Sequence, residues 1–184
     1  MWKSVGCEVQ GKGHVKMGIP CQDKTICLTR NGVTAIALAD GAGSSMLSHY
    51  GAECVVKSAT LFVIDNYEKL LSNDDGKSVK HDILDYILKQ LFIKAEELDC
   101  DVDALASTLL LVAVFEDSYL IIHIGDGVIG YLDGTQLKVA SAPENGEFAN
   151  VTTFVTSNEA LKSMRLFKGL LNDISGFVMM SDGT

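Results

Sequence analysis

The chain has 184 residues, of which 47% are hydrophobic, and its formal net charge is -9. This length suits one domain with a buried core, and the composition excludes a disordered chain. The negative charge would repel a polyanion, so we expect no nucleic-acid partner.

Cysteine usage and hydropathy bear on where the chain works. The five cysteines are scattered and none forms a Cys-x-x-Cys pair, so neither a disulfide framework nor a zinc site is expected. The longest apolar run, residues 109–115, is too short to cross a bilayer, and no charged-then-apolar leader opens the chain. We therefore expect a cytoplasmic protein without a membrane partner.

The N-terminal part is predicted to contain a β-hairpin. Strands are predicted over residues 24–29 and 33–39, joined by Asn31-Gly32, a strong hairpin turn signal. Asp23 opens the first strand and Asp40 follows the second. Because the ends of antiparallel partners are neighbours, the hairpin predicts that these two carboxylates lie close together. Before the hairpin, residues 2–9 could form a first strand, and residues 10–22 are interpreted as a loop.

Two helices are predicted after the hairpin. Ser48 is a candidate N-cap for the first, whose apolar residues recur at helical spacing up to about Tyr67. A polar connection over residues 72–78 leads to the second, which runs to about Leu98. We interpret both helices as cover for a sheet.

The rest of the chain is predicted to consist mainly of strands. Their predicted bounds are 108–115, 119–125, 128–132, 136–139, 151–156 and 177–180. Residues 161–171 are interpreted as a short helix or an ordered loop. This order disfavours a βαβ parallel sheet and favours an α+β fold, in which two antiparallel sheets pack together with helices outside. No repeat or linker is visible, so residues 1–184 are interpreted as a single domain.

The turn Asp40-Gly41-Ala42-Gly43 allows three interpretations. A phosphate-cradling loop would need a third small residue where Met46 stands, so the Gly-x-Gly-x-x-Gly fingerprint is incomplete. A metal site is the second, because a strand-end carboxylate and a nearby backbone carbonyl suit a hard cation. The third is an ordinary turn aspartate.

Carboxylates recur at the ends of predicted strands. Asp126 and Asp182 each stand before a glycine, as Asp40 does. Two carboxylates about 5 Å apart repel by roughly 3 kcal/mol at an effective dielectric of about 20, so a cluster without counter-ions would have to bind protons. Few basic residues lie near these turns, and oxygen ligands favour Mg²⁺ or Mn²⁺ over zinc. Divalent cations are therefore the expected neutraliser.

At this point the sequence resembles the metal-dependent protein serine/threonine phosphatases of type 2C, the PPM family, and most closely their compact bacterial branch. The pieces that carry the resemblance stand in the family's order along essentially the whole chain. They are Gly13-His14 with Gly18-Ile19-Pro20-Cys21-Gln22-Asp23; Ala39-Asp40-Gly41-Ala42-Gly43; Ala106-Ser107-Thr108-Leu109; Gly125-Asp126-Gly127; Gly146-Glu147-Phe148-Ala149-Asn150 with Thr152-Thr153-Phe154; and Ser181-Asp182-Gly183.

The resemblance implies a two-metal site in a β-sandwich flanked by helices. By position, Asp23 and Asp182 would each hold one metal, Asp40 would bridge both, and Gly41 would offer its carbonyl oxygen. Asp126 matches a position that in some members helps hold a third, weaker metal, although it could also be only a turn residue.

The same resemblance implies the reaction. A water bridging two Mn²⁺ or Mg²⁺ ions would attack the phosphorus of a phosphoserine or phosphothreonine, without a covalent phospho-enzyme. The implied partner is a phosphorylated protein, the substrate of a serine/threonine kinase.

Three positions depart from the family pattern. Gln22 stands where many members have a glutamate that acts through metal-bound water. Gly18 occupies the spacing of an arginine that grips the phosphate; Lys12, His14 or Lys16 could supply positive charge instead. Ala42 replaces a histidine proposed to protonate the leaving alkoxide. We take His14 as the candidate catalytic acid, with His49 as the alternative.

Family members continue past the last Ser-Asp-Gly, with further strands and a final metal-binding aspartate, whereas this sequence ends at Thr184. We therefore expect a C-terminally incomplete sandwich whose open sheet edge invites self-association, and weakened metal binding. The leading hypothesis is a Mn²⁺- or Mg²⁺-dependent phosphoprotein phosphatase. The alternative is a catalytically weak or inactive relative that binds phospho-sites. A nucleotide-binding protein is disfavoured by the incomplete glycine fingerprint.

Overall fold

The computed structural model describes residues 2–143 and 152–182. Its helices are α1 (Lys12–Met17), α2 (Ser48–Ser72), α3 (Gly76–Glu97) and α4 (Ala160–Ser163), with a 3₁₀ helix at Val102–Leu105. Its strands are β1 (Lys24–Arg30), β2 (Val33–Ala39), β3 (Leu109–Phe115), β4 (Ser118–Ile124), β5 (Val128–Asp133), β6 (Gln136–Ser141), β7 (Arg165–Leu170) and β8 (Ile174–Met180). No helix within the described ranges is long and apolar enough to cross a membrane.

The strands form two antiparallel sheets. One has five strands in the order β1-β2-β3-β4-β7, and the other has three in the order β6-β5-β8. Helix α2 lies across β1, β2 and β3, and α3 packs against α2. The predicted α+β fold, with two packed antiparallel sheets and helices outside, is therefore confirmed. Within the described residues, β6 and β8 are the outer strands of the smaller sheet.

Strand β3 is apolar along its whole length because both of its faces are buried. Leu109, Leu111 and Ala113 join the core beneath the helices. Leu110 and Val112 belong instead to the core between the two sheets. A strand of this kind gives a continuous apolar run rather than an alternating pattern. This explains why residues 109–115 are the longest apolar run in the sequence.

Two N-terminal expectations are wrong. Residues 2–9 contain no strand, and helix α1 lies within the stretch that was expected to be a loop. The Glu8 side chain explains the first difference. Its Oε1 accepts a hydrogen bond from the backbone N–H of Thr25, 2.6 Å away, so a side chain rather than a backbone partner satisfies this part of the β1 edge.

Two expectations nearer the C-terminus are also wrong. The strand predicted over 151–156 is absent from its described part, 152–156; Val155 N–H donates to the carbonyl oxygen of Ser107 at 2.8 Å and no ladder follows. Residues 165–170, expected to be helix or loop, form strand β7 against β4. In that pairing the Tyr119 ring lies against Gly169, where a Cβ would be 2.7 Å from its hydroxyl oxygen.

The packing of α2 depends on Gly51. A Cβ at this position would lie 1.9 Å from the carbonyl oxygen of Leu105, so the helix would have to move off the 3₁₀ helix. We expect Gly51→Ala to lower the free energy of unfolding by at least about 3 kcal/mol in urea titrations of the metal-free protein.

Gly76→Ala is the matched control, because a Cβ at Gly76 in α3 would meet nothing within 4 Å. It should change the free energy of unfolding by less than about 1 kcal/mol. Similar losses in the two variants would contradict the close approach as the reason for Gly51.

Candidate active site

The hairpin brings Asp23 and Asp40 together. Lys24 pairs with Ala39 in its register. Asp23, just before β1, and Asp40, just after β2, therefore lie at the same end of the hairpin. The Gly41 N–H continues the ladder by donating to the carbonyl oxygen of Gln22 at 3.2 Å. Burial, followed by the charge of Asp23, raises the pKa of Asp40 from 3.8 to about 7. The sequence-based expectation that these carboxyl groups are neighbours is confirmed.

The smaller sheet adds two carboxyl groups to the same edge. Val128 of β5 pairs with Met180 of β8, which places Asp126 just before one strand and Asp182 just after the other. Asp182 contributes a hydrogen bond and its charge to the raised pKa of Asp40, and Asp126 contributes its charge. The four aspartates thus converge from two sheets.

The donor set at this edge fits a hard divalent cation. The Oδ1 atom of Asp23 is buried and has no hydrogen-bond partner among the described residues. Burial raises the pKa of Asp23; a hydrogen bond from Ser181 opposes this shift, and Lys24 opposes it only weakly. An acidic, all-oxygen site with an unpartnered carboxylate oxygen is what Mg²⁺ or Mn²⁺ would bind.

The side chains alone do not complete a coordination shell. Within residues 2–143 and 152–182, no three acidic, histidine or cysteine side chains form a ready-made metal-binding group. Backbone carbonyl and water oxygens would therefore have to supply part of any shell, as is usual for Mg²⁺. The assignment of Asp23, Asp40, Gly41, Asp126 and Asp182 as metal ligands stays a prediction.

The backbone around Asp40 is held from both sides by Thr108. Asp40 N–H donates to Thr108 Oγ1 at 2.9 Å, and Thr108 N–H donates to the Asp40 carbonyl oxygen at 2.9 Å. Gly41 is buried against helix α2, where a Cβ would lie 2.8 Å from Ser48 Oγ. Only glycine fits there, so the Asp-Gly pair reflects close packing as well as turn chemistry.

The Gln22 side chain faces the turn that follows Asp40 and acts there as a hydrogen-bond donor. Its side chain is 8% exposed, and its Nε2 donates to Ser48 Oγ at 2.8 Å and approaches the carbonyl oxygens of Ala42 and Ser45 at 3.3 and 3.4 Å. A glutamate could not donate in this way. Ser48 is also not the N-cap; Leu47 holds that position, and the buried Ser48 hydroxyl donates to Ser45 O.

Two glycines and a threonine hold the turn at Asp126. Gly125 has a φ of +116°, and a Cβ there would lie 2.5 Å from Thr108 Cγ2. A Cβ on Gly127 would lie 2.7 Å from the carbonyl oxygen of Met180. Thr152 Oγ1 donates to Asp126 Oδ2 at 2.5 Å. These contacts fix the direction of the Asp126 carboxylate. A metal ligand needs such a fixed direction, whereas an ordinary turn residue does not.

The two candidate acids lie on different helices. His14 is half-exposed on α1, with its carbonyl oxygen accepting a bond from Ile19 N–H at 3.0 Å. His49 is half-buried near the start of α2; burial lowers its pKa, and the charge of Lys24 acts in the same direction. The catalytic role of His14 stays a prediction.

Some of the quoted pieces lie outside the described residues. These are residues 146–150 and Gly183. Sequence reasoning did not assign roles to Thr108, His123 or Arg165. Thr108 belongs to a quoted piece, but its two bonds to Asp40 span 68 positions, and no local pattern signals such a contact.

Comparison with known proteins identifies the family. Residues 10–184 match the family model described as Protein phosphatase 2C. The chain belongs to the protein phosphatase 2C family. This confirms the resemblance found in the sequence, because the match extends over nearly the whole chain rather than a single motif.

Individual relatives agree with this assignment. The chain is 28% identical over 176 residues to serine/threonine-protein phosphatase 3 of Escherichia coli K12, with 90% of this chain and 67% of the relative covered. A solved bacterial serine phosphatase has a TM-score of 0.64 at 18% identity, covering 88% of this chain and 72% of its own. Serine/threonine phosphatase Stp1 of Staphylococcus aureus has a TM-score of 0.64 at 18% identity, covering 88% and 70%. At such identities the structures establish the shared fold.

The raised pKa of Asp40 predicts a pH-dependent stability of the metal-free protein. The folded pKa, about 7, exceeds the unfolded value, so the folded state binds the extra proton. This stabilisation is complete below the unfolded pKa and is lost as the pH rises through the folded one. Because the Asp40 side chain is half-exposed, solvent screening reduces the effect of this pKa shift on stability. We expect the free energy of unfolding to fall by about 2 kcal/mol between about pH 4 and pH 8 in urea titrations with EDTA.

Asp40→Asn should reduce this slope to the part that the raised pKa of Asp23 contributes, whereas Asp99→Asn should keep it in full. Asp99 is exposed after α3 and has a φ of +51°, a conformation that asparagine tolerates. If Asp40→Asn shows the wild-type slope, Asp40 is not the group that binds the proton.

Proposed function

We propose that this chain hydrolyses the phosphate monoesters of phosphoserine and phosphothreonine in proteins, at a site formed by Asp23, Asp40, Asp126 and Asp182 with bound Mn²⁺ or Mg²⁺. The activity class follows from the family. The observation that carries the site is the convergence of four carboxyl groups from two sheets on one edge. The substrate would be the product of a serine/threonine kinase.

The roles proposed for the ligands are those that the family resemblance implies. Asp23 and Asp182 would each hold one cation, Asp40 would lie between them, and the Gly41 carbonyl would add an oxygen. Asp126 would serve a third, weaker site. When bound, such cations supply an acidified water and neutralise the charge of the phosphate.

The side chains and backbone of this chain would position the ligands and bind or donate protons. Thr108 fixes the backbone of Asp40 at both its N–H and its carbonyl. Burial and the neighbouring carboxylates raise the pKa of Asp40 to about 7, so cation binding has to displace the proton that Asp40 holds below that pH. His14 is the proposed donor of a proton to the departing serine or threonine oxygen. Self-association through the edge of β8 or β6 stays a prediction.

Metal-dependent turnover tests the proposal directly. We expect hydrolysis of a phosphothreonine peptide in Mn²⁺, none in EDTA, and a loss of at least about 100-fold in kcat for Asp40→Asn. Thermal unfolding should show a Mn²⁺-dependent rise in Tm for the wild type that Asp40→Asn lacks. Asp99→Asn serves as the charge-matched control and should behave as the wild type.

A wild-type chain that binds the phosphopeptide but gives no turnover with Mn²⁺ or Mg²⁺ would overturn this proposal. That result would favour the non-catalytic phospho-site binding module instead. Equal traces for the wild type, Asp40→Asn and the EDTA sample would equally remove the carboxylate site from the reaction.

The role of His14 has a separate test, based on the leaving group. A serine or threonine alkoxide needs a proton as it departs, whereas p-nitrophenolate does not. General acid catalysis contributes about 100-fold or more, so His14→Gln should lower kcat by that order for the peptide and barely change it for p-nitrophenyl phosphate.

His49→Gln, assayed in parallel, distinguishes the alternative donor. If His49→Gln shows the substrate-dependent loss and His14→Gln does not, the assignment passes to His49. A loss in His14→Gln that is equal for both substrates would mean that His14 does not donate the proton.

A further inference from the structure

A buried polar network joins the two sheets next to Asp126. His123 in β4 is 0% exposed. Its Nδ1 lies 2.7 Å from Ser141 Oγ at the end of β6, and its Nε2 lies 3.1 Å from the carbonyl oxygen of Gly125. Arg165 Nη2, from β7, lies 3.0 Å from the same Nε2 and 3.3 Å from the Gly125 carbonyl oxygen.

The chemistry of these groups fixes the tautomer of His123. A guanidinium can only donate, so its 3.0 Å contact requires Nε2 to accept from Arg165 and the ring proton to lie on Nδ1. Nε2 and the Gly125 carbonyl oxygen are then two acceptors 3.1 Å apart, and both lie within reach of the same Nη2. Nδ1–H then donates to Ser141 Oγ, and Arg165 also donates to the Gly125 carbonyl. The opposite tautomer would let Nε2–H donate to the Gly125 carbonyl oxygen, but it would set that N–H against the Nη2 donor of Arg165 at 3.0 Å. Burial, followed by the charge of Arg165, lowers the pKa of His123 to about 4, so the ring is neutral.

The network therefore holds a guanidinium on the carbonyl that precedes Asp126. Gly125 lies against Thr108 and has a φ of +116°, so its carbonyl direction depends on outside partners. Arg165 fixes that carbonyl, and Thr152 fixes the Asp126 carboxylate. The Thr152 contact, at 2.5 Å, has the short length of a charge-assisted hydrogen bond, whereas the Arg165 contact with the Gly125 carbonyl is longer, at 3.3 Å.

We infer that Arg165 is a positioning residue for Asp126, with neutral His123 as the acceptor that holds its guanidinium in place. The inference rests on the proposed function, because the direction of Asp126 matters only if the carboxylates bind divalent cations. Both contacts come from Nη2, whose two N–H groups point in fixed directions in the guanidinium plane. A lysine would not replace Arg165 fully, since its ammonium keeps the charge but is a rotatable, strongly hydrated group without that fixed geometry.

A double-mutant cycle tests whether Arg165 acts through Asp126. The variants are Arg165→Met, Asp126→Asn and the double variant, with Arg165→Lys as the conservative change. The first readout is the Mn²⁺ concentration that gives half of the rise in Tm without substrate. The second is the concentration for half-maximal hydrolysis of p-nitrophenyl phosphate.

Each single variant should raise both Mn²⁺ concentrations by about tenfold, the scale on which groups behind a metal ligand act. The double variant should need no more Mn²⁺ than the single variant with the higher requirement, because both changes remove the same effect. Arg165→Lys should fall between the wild type and Arg165→Met, and the KM at saturating Mn²⁺ should stay close to the wild-type value.

Several results would overturn the inference. Effects that multiply in the double variant would show that the two residues act independently. A rise in KM at saturating Mn²⁺ would place Arg165 on the substrate phosphate. A lower Tm in EDTA with an unchanged Mn²⁺ requirement would make its role purely structural.

Ser141→Ala provides a second route if Arg165→Met fails to fold. It removes only the partner of His123 Nδ1, and it should raise the Mn²⁺ requirement in the same direction by a smaller factor; an unchanged requirement would contradict the inference. A wild type that responds to Mn²⁺ as Asp40→Asn does would defeat the proposed function itself. A responsive wild type matched by Arg165→Met would defeat only the role of Arg165.

Discussion

Repulsion among carboxyl groups is the constraint on which the site depends. Asp40 lies within reach of three other aspartates, and burial, reinforced by their charges, raises its pKa to about 7. A fold can keep such a cluster only if backbone bonds elsewhere hold the chain in place, since stability is a small difference between large terms. Thr108 provides two of those bonds, and the ladder from Gly41 to Gln22 provides a third. If the site binds cations as proposed, folding and cation binding would be linked through the proton on Asp40.

The cluster forms because its four aspartates are divided equally between the two sheets. Each sheet contributes two aspartates, from a hairpin end in the larger sheet and from the β5–β8 pair in the smaller one. The core between the sheets sets the distance between these pairs. Gln22 then connects the hairpin to helix α2 through Ser48, so the residue that departs from the family pattern has a structural use as a donor.

The sequence predicted the local features of this arrangement and missed the long-range ones. Asn31 and Gly32 do adopt positive φ values, 54° and 83°, and the hairpin register follows from that turn. Strand β7 was missed because Lys168 and Gly169 interrupt its apolar pattern, and its pairing depends on β4 and the Tyr119 ring. The contacts of Gln22 with the turn and with Ser48, and those of His123 with Ser141 and Arg165, join residues 18 to 42 positions apart in the chain, which no short motif encodes.

The neutral state of His123 is the feature that makes an arginine compatible with the proposed cation site. A guanidinium placed on the carboxylates would compete with divalent cations for the same oxygens and would lower their pKa values. Arg165 Nη2 instead donates to two uncharged acceptors, an imidazole and a carbonyl. A protonated His123 could not accept, and it would set two cations 3.0 Å apart in a buried place. Burial of the ring keeps it neutral, so the same packing that joins the sheets also gives Arg165 an acceptor beside the Gly125–Asp126 turn.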